Sequence, residues 1–281
     1  MRIGKFAVEQ LSEGTFEVTA SGSIRRAGSP KKPKIKKGES SPDYSRIALD
    51  PLLVQTTEFN ILIDAGLGIG LDKKELDPDV SNLHTNLEIF GLQPEDIDYV
   101  VLSHLHYDHM AGLTYSTQNM QTRPTLPKAK ILIHQMEWDY ALSMVDQRNP
   151  VDGMGYEIDD LYRLAADGYL QFIKDDYMEL IPGFEIIKTG GHTPGHQIVR
   201  LSSAVETAYF CGDIIPNEFQ LNQYSMKHAD LYPDQTKKMK TLLLQRAFRE
   251  QATLFFYHSI QQKYGKLSKD SSRKYVLKEV K

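Results

Sequence analysis

With 281 residues, 41% of them hydrophobic and 25% charged, the chain is long enough for one large domain or two small ones and apolar enough for a sizeable core. A formal net charge of −4 argues against general binding to nucleic acid or to anionic membranes, and no apolar stretch is long enough to span a bilayer. Cys211 is alone, so no internal disulfide can form; within Ala208-Tyr209-Phe210-Cys211-Gly212 it reads as a core residue.

The start, Met1-Arg2-Ile3-Gly4-Lys5-Phe6, reads as a strand and not as an apolar leader, so a cytoplasmic protein is expected. Residues 3–8 and 15–19 predict two strands around the turn Ser12-Glu13-Gly14. Residues 25–37 carry seven basic side chains and no acid, interrupted by Gly28, Pro30 and Pro33, which predicts a solvated loop or partner contact. Residues 47–55 and 60–64 read as a hairpin ending at Asp64-Ala65-Gly66. A short helix over 86–90 stops at Gly91, and Pro94-Glu95-Asp96 suits a helical first turn. Residues 99–103 and 130–134 predict strands. Helices are expected over 137–146 and over 158–167, the second stopped by Gly168. Strands then dominate at 169–173, 184–188, 197–202 and 207–212. Residues 234–251 are helical, with Pro233 before them and Leu243, Ala247 and Glu250 at helical spacing. Strands are expected again at 252–257 and 275–279. No linker or repeat divides the chain. Two sheets packed face to face, with helices outside, is the simplest layering.

The chemistry concentrates in His104-Leu105-His106-Tyr107-Asp108-His109, directly after the apolar run Tyr99-Val100-Val101-Leu102. In an extended segment His104, His106 and Asp108 leave the backbone on one side, whereas a helix sends 104 and 106 to nearly opposite faces. Met110-Ala111-Gly112-Leu113 then turns the chain, so His109 can swing in beside them. Three imidazoles and a carboxylate facing one point are a ligand set that Zn²⁺ accepts. Three further strand ends offer partners. Gly190-Gly191-His192-Thr193-Pro194-Gly195-His196 is a tight loop after a strand, Phe210-Cys211-Gly212-Asp213 ends in a carboxylate, and Phe255-Phe256-Tyr257-His258 ends in a histidine. Together these are seven candidate ligands, five His and two Asp. A closed structural zinc site needs only four, so seven point to catalysis. His196 is expected to orient the His192 loop. His134, His84 and His228 read as structural, and Glu137 and Asp139 as the first turn of a helix.

His104-x-His106-x-Asp108-His109, then His192, Asp213 and His258, resembles the metallo-β-lactamase-fold hydrolases with two metals, over nearly the whole chain. The resemblance implies an α+β, four-layer αββα sandwich forming a single domain over 1–281. It implies that His104, His106 and His192 hold one metal, that Asp108, His109 and His258 hold the other, and that Asp213 bridges them. Within that superfamily the segments His104–His109, Gly191–His196, Gly212-Asp213-Ile214-Ile215-Pro216, Asp230-Leu231-Tyr232-Pro233 and Phe255–His258 are similar to the N-acyl-homoserine lactonases and their methyl parathion hydrolase relatives. The sequence departs from them in three places. Pro216 stands where well-studied lactonases place a Tyr, Ser259 stands where relatives often carry Asp, and the early loop is basic instead of Gly- and aromatic-rich.

The resemblance implies two divalent ions, zinc first with iron or manganese as alternatives, and a shared hydroxide that attacks the substrate, with Asp108 and Asp213 as catalytic carboxylates. Tyr107, Tyr224 and Tyr232 are candidate substrate contacts. The expected reaction is lactone or ester hydrolysis on a small-molecule substrate. Phosphotriester or phosphoester hydrolysis on the same metals is the alternative, followed by a glyoxalase II-like thioesterase and a nucleic-acid enzyme. A di-iron redox protein would normally bring a flavin domain, for which the length leaves no room. No nucleic-acid or membrane partner is expected, and a homodimer stays open.

Overall fold

The computed structural model describes residues 1–19, 24–26, 44–68, 82–117, 119, 121–144, 158–223 and 229–278. In chain order the strands are β1 (Arg2–Ile3), β2 (Phe6–Gln10), β3 (Gly14–Thr19), β4 (Ile24–Arg26), β5 (Tyr44–Leu49), β6 (Leu52–Gln55), β7 (Asn60–Ile63), β8 (Tyr99–Val101), β9 (Thr114–Ser116), β10 (Thr122–Pro124), β11 (Lys130–His134), β12 (Leu170–Ile173), β13 (Tyr177–Ile181), β14 (Phe184–Lys188), β15 (Gln197–Ser202), β16 (Thr207–Phe210), β17 (Thr253–Phe255), β18 (Tyr264–Lys269) and β19 (Tyr275–Lys278). The helices are α1 (Asn82–Ile89), α2 (Tyr107–Met110), α3 (Gln135–Met144), α4 (Asp159–Ala166) and α5 (Pro233–Glu250).

Two seven-stranded sheets carry the fold, one ordered β1-β2-β6-β7-β8-β11-β12 and the other running from β13 to β19 in sequence order. Strand residues alternate between layers. In β7, Ile61 and Ile63 enter the core between the sheets, while Leu62 enters the core under α1, α3 and α4. In β16, Ala208 and Phe210 point to the inter-sheet core and Tyr209 to the core under α5. Both faces of these strands are covered, so they read as continuous apolar runs. The arrangement is the expected αββα layering. Cys211 is buried in the core beneath α5, as expected.

Several boundaries differ from expectation. Residues 3–8 are two strands, because Gly4 takes φ +56 and turns β1 back onto β2 with Ile3 paired to Phe6. Residues 47–55 split at Asp50-Pro51 into β5, which pairs with β3, and β6, which pairs with β2 and β7. Proline lacks the N–H a ladder needs, so the chain changes sheets there. The edge strand β13 and the lysine-bearing β18 were not anticipated; in β18 only Gly265 and Leu267 are buried. The expected helix over 137–146 starts at Gln135 and is followed to Met144, and most of the basic segment 25–37 lies outside the described residues. No described helix is long and apolar enough to cross a membrane.

Strand direction positions the site. β7, β8 and β11 are parallel neighbours, as are β16 and β17, and β14 runs parallel to β16 through the antiparallel β15. The carboxyl ends of strands in both sheets therefore open onto one edge, where α/β sheets bind ligands.

Candidate metal centre

The chain leaves β8 at Val101, bends at Ser103 and is extended again at His106, which caps α2 with φ −65 and ψ 146. His104 and His106 reach one group, as expected. Asp108 does not join them. Residues from Tyr107 onward are helical, advancing about 100° per residue instead of 180°, so Asp108 and His109 turn into a second group. The expectation that Asp108 shares the strand face of the two histidines is thus corrected.

Two groups result. His104, His106, His192 and Asp213 form one, and Asp108, His109 and His258 the other; within each, one donor atom per residue lies within 4.8 Å of every other. In the first group His106 Nδ1 is 2.8 Å from His104 Nε2 and 3.1 Å from His192 Nε2. Asp213 faces both groups. Its Oδ2 is 3.4 Å from His192 Nε2, while its Oδ1 is 3.2 Å from His258 Nε2 and 3.5 Å from His109 Nε2. All seven residues are buried; Asp213 and His258, at 5% and 6%, are the most open, so the approach from solvent lies on their side.

Outer partners decide which ring nitrogen faces inward. His258 Nδ1 donates to the Ala48 carbonyl at 2.9 Å, because a carbonyl can only accept. His192 Nδ1 meets the Asp230 carboxylate at 3.1 Å and His109 Nδ1 meets Asp64 at 2.8 Å. Ser103 donates its hydroxyl to Asp64 at 2.8 Å and stands 3.0 Å from His104 Nδ1. In each case the other nitrogen, Nε2, is left to point into the site. Asp64 does this from a left-handed backbone (φ 59), held there by the Ser103 amide at 2.6 Å. His196 stands behind the groups. Its Nε2 accepts the Asp213 amide at 3.0 Å and its Nδ1 meets the Thr189 hydroxyl at 2.7 Å, so it holds both Asp213 and the His192 loop.

The electrostatics are divided. Burial, then the neighbouring imidazoles His109, His106 and His192, push the His104 pKa well below the histidine range. His258 goes the other way: burial disfavours its charge, but the Asp213 and Asp108 carboxylates raise it to about 9. Burial also opposes ionisation of Asp213, yet His258 and His109 hold it well below the usual carboxylate range.

The donor set fits divalent cations. Both Asp108 oxygens, His109 Nε2 and Asp213 Oδ1 are buried with no hydrogen-bond partner among the described residues, and Asp108 Oδ1 lies 3.9 Å from His109 Nε2 while its Oδ2 lies 3.5 Å from His258 Nε2. Buried polar atoms left this way are costly, and cations bound by imidazole and carboxylate would satisfy them.

The structure therefore brings together all seven residues singled out from sequence. Tyr107 on α2 and Tyr232 at the start of α5 are partly exposed at 39% and 46%, and the Tyr232 amide donates to the Gly191 carbonyl beside His192. Tyr224 and His228 lie outside the described residues. His134 is structural, accepting the Met136 amide at the start of α3, and His84 bonds Gln93 near α1. Sequence reasoning missed the roles of Asp64, Asp230, Glu137 and Tyr257. Asp64 carried a usable signal, an apolar strand ending in a carboxylate like that of Asp213. Asp230 lay in a segment already noted. Glu137 looked like an ordinary helix-start acid and Tyr257 like one more apolar strand residue.

The sequence profile of the Metallo-beta-lactamase superfamily matches residues 51–258. An N-acyl homoserine lactonase from Bacillus sp is 24% identical over 237 residues, covering 76% of this chain and 82% of that protein. A probable metal-dependent hydrolase from Staphylococcus aureus superposes with TM-score 0.73 at 26% identity, covering 100% of this chain and 99% of the other. AidC, a dizinc quorum-quenching lactonase, superposes with TM-score 0.72 at 22% identity, covering 100% and 97%.

Proposed function

This chain belongs to the metallo-β-lactamase superfamily as a metal-dependent hydrolase, and from that premise we propose that it opens lactones of the N-acyl-homoserine type, or closely related esters, on a two-metal centre. The observation that carries the reading is Asp213, whose two oxygens face the two groups separately. The lactonase from Bacillus sp, alignable over most of both chains, supports the substrate class.

His104, His106 and His192 would hold one ion and Asp108, His109 and His258 the other, with Asp213 shared between the two groups. Zinc suits this nitrogen and oxygen set. Ions held there would supply a water nucleophile of lowered pKa near neutral pH and Lewis-acid polarisation of the substrate carbonyl. The remaining tasks fall to the chain. Asp213 fixes the separation of the groups. Asp108 takes the proton of the attacking water and returns it to the departing alkoxide, which stays tethered in the ring-opened product. Its backbone is held by Tyr257 at 2.6 Å, and the site imidazoles His109, His104 and His192 are oriented by Asp64, Ser103 and Asp230. Tyr107 and Tyr232, both exposed, are the candidate substrate contacts among the described residues.

Pro216 marks the second reading. It offers its carbonyl to the His258 amide at 2.9 Å and has no hydroxyl to give a leaving alkoxide. A substrate with a better leaving group, such as a phosphotriester, needs no such donor. The test is kcat/KM for an acyl-homoserine lactone and for a phosphotriester on one preparation. A lactone preference is expected. A phosphotriester preferred by more than about two orders of magnitude, about 2.7 kcal/mol in barrier, makes phosphotriester hydrolysis the correct reading.

A further inference from the structure

Leu105 lies between two histidines of the four-residue group, and Thr193 and Gly195 follow the third. One carboxylate binds all three. Glu137, fully buried in the first turn of α3, accepts the Leu105 amide at 3.0 Å through Oε1. Through Oε2 it accepts the Thr193 hydroxyl at 2.6 Å and the Gly195 amide at 3.0 Å. These partners are 32, 56 and 58 residues away, on loops that leave different sheets. The His192 loop also rests on the helix itself. A Cβ at Gly195 would lie 2.3 Å from the Glu137 backbone nitrogen and 2.5 Å from its Cβ, so only glycine permits this approach.

We propose that Glu137 is a positioning residue of the metal centre, fixing His106 and His192 relative to one another by tying both their loops to the start of α3. The inference rests on the reading that the two groups hold divalent ions. Charge-assisted bonds from a buried carboxylate are the strong kind, and α3 is a rigid element on which to anchor two loops. Both oxygens take bonds from the two loops, and it is through these that Glu137 ties them together. It acts on one group only: Leu105, Thr193 and Gly195 flank His104, His106 and His192, whereas the other group is set by α2 and β17.

The test is a two-step Co²⁺ titration of metal-stripped protein, followed by ligand-field absorption and chelator competition, on wild type, Glu137→Gln, Glu137→Asp and Thr193→Val. Whichever way the Gln amide turns, its NH₂ meets a backbone N–H, of Leu105 or of Gly195. Glu137→Gln is expected to weaken the four-residue group by about 10–100-fold, the usual effect of losing an outer partner, and to leave the Asp108/His109/His258 group at its wild-type affinity. Thr193→Val, which removes one of these loop bonds, falls between. Glu137→Asp keeps the charge on a shorter arm and weakens the same group alone. Equal affinity in wild type and Glu137→Gln, or equal loss at both groups, overturns the proposal while the metal reading stands. Wild type that binds no metal removes both. If Glu137→Gln does not fold, Thr193→Val decides: no selective loss at the four-residue group overturns the proposal.

Discussion

Tyr257 donates its hydroxyl to the Asp108 carbonyl at 2.6 Å, and its ring stacks on His109 with centroids 4.1 Å apart and planes at 26°. A residue following β17 of one sheet thus clamps α2, which follows β8 of the other. Burial, then the Asp64, Glu13 and Asp108 carboxylates, raise its pKa well above the phenol range, so it remains a donor. Tyr257→Phe keeps the stack and loses the bond, leaving a buried carbonyl short of a partner. It is expected to cost about 1–3 kcal/mol of stability and to lower kcat more than it raises KM. Denaturant unfolding and steady-state kinetics check both; unchanged stability and kcat would remove the clamp.

Asp108→Ala and Asp213→Ala are expected to remain folded and to lose nearly all turnover, about a thousandfold or more, since each removes several kcal/mol of transition-state stabilisation. The three apolar cores hold the layers together, so the fold is expected to survive loss of either carboxylate. Circular dichroism and hydrolysis rates measure this. Near wild-type turnover by either variant contradicts its assigned role.

Metal analysis of replete protein is expected to give about two divalent ions per chain, zinc foremost. Stripping them with a chelator abolishes hydrolysis but leaves the circular dichroism spectrum, unlike a small zinc finger. One ion or none eliminates the two-metal mechanism. Iron or manganese keeps the mechanism and changes the ion.

Metal uptake should depend on pH with a definite sign. In metal-free protein the His258 pKa lies at about 9, above the ordinary 6.5. The charged imidazole therefore stabilises that form fully below about 6.5, and the contribution disappears as pH rises through about 9. His258 must lose this proton to bind metal, so affinity at its group rises by roughly tenfold per pH unit up to about 9 and then levels. Proton release measured during Zn²⁺ titration at pH 7, 8, 9 and 10 checks it. A pH-independent affinity contradicts the assignment of His258.

Replacing Lys31, Lys32, Lys34, Lys36 and Lys37 with Ser is expected to change kcat/KM far less than loss of any one of the seven site residues. The net charge of −4 and the prolines of that segment motivate this. Salt-dependent nucleic-acid binding that the substitution abolishes would point instead to a nucleic-acid function.

The residue types and their spacing determined the chemistry. Two histidines two apart after a buried strand, a carboxylate and a histidine just beyond, and three more polar strand ends identify a metal-ligand set without any structure, because coordination depends on side-chain chemistry and local backbone period. Apolar runs bounded by turns likewise marked β7, β8, β11, β14, β15 and β16. The resemblance implied how the ligands divide, and only the tertiary structure gives the physical reason. Asp108 leaves the side of His104 and His106 because α2 starts at Tyr107, a change of period that the motif itself does not encode. Only the structure revealed the outer partners: Asp64 is 45 residues from His109, Asp230 is 38 from His192, and Tyr257 is 149 from Asp108. Hydrogen bonds over such separations leave no periodic trace along the chain. They exist because parallel strands in two sheets end at the same edge.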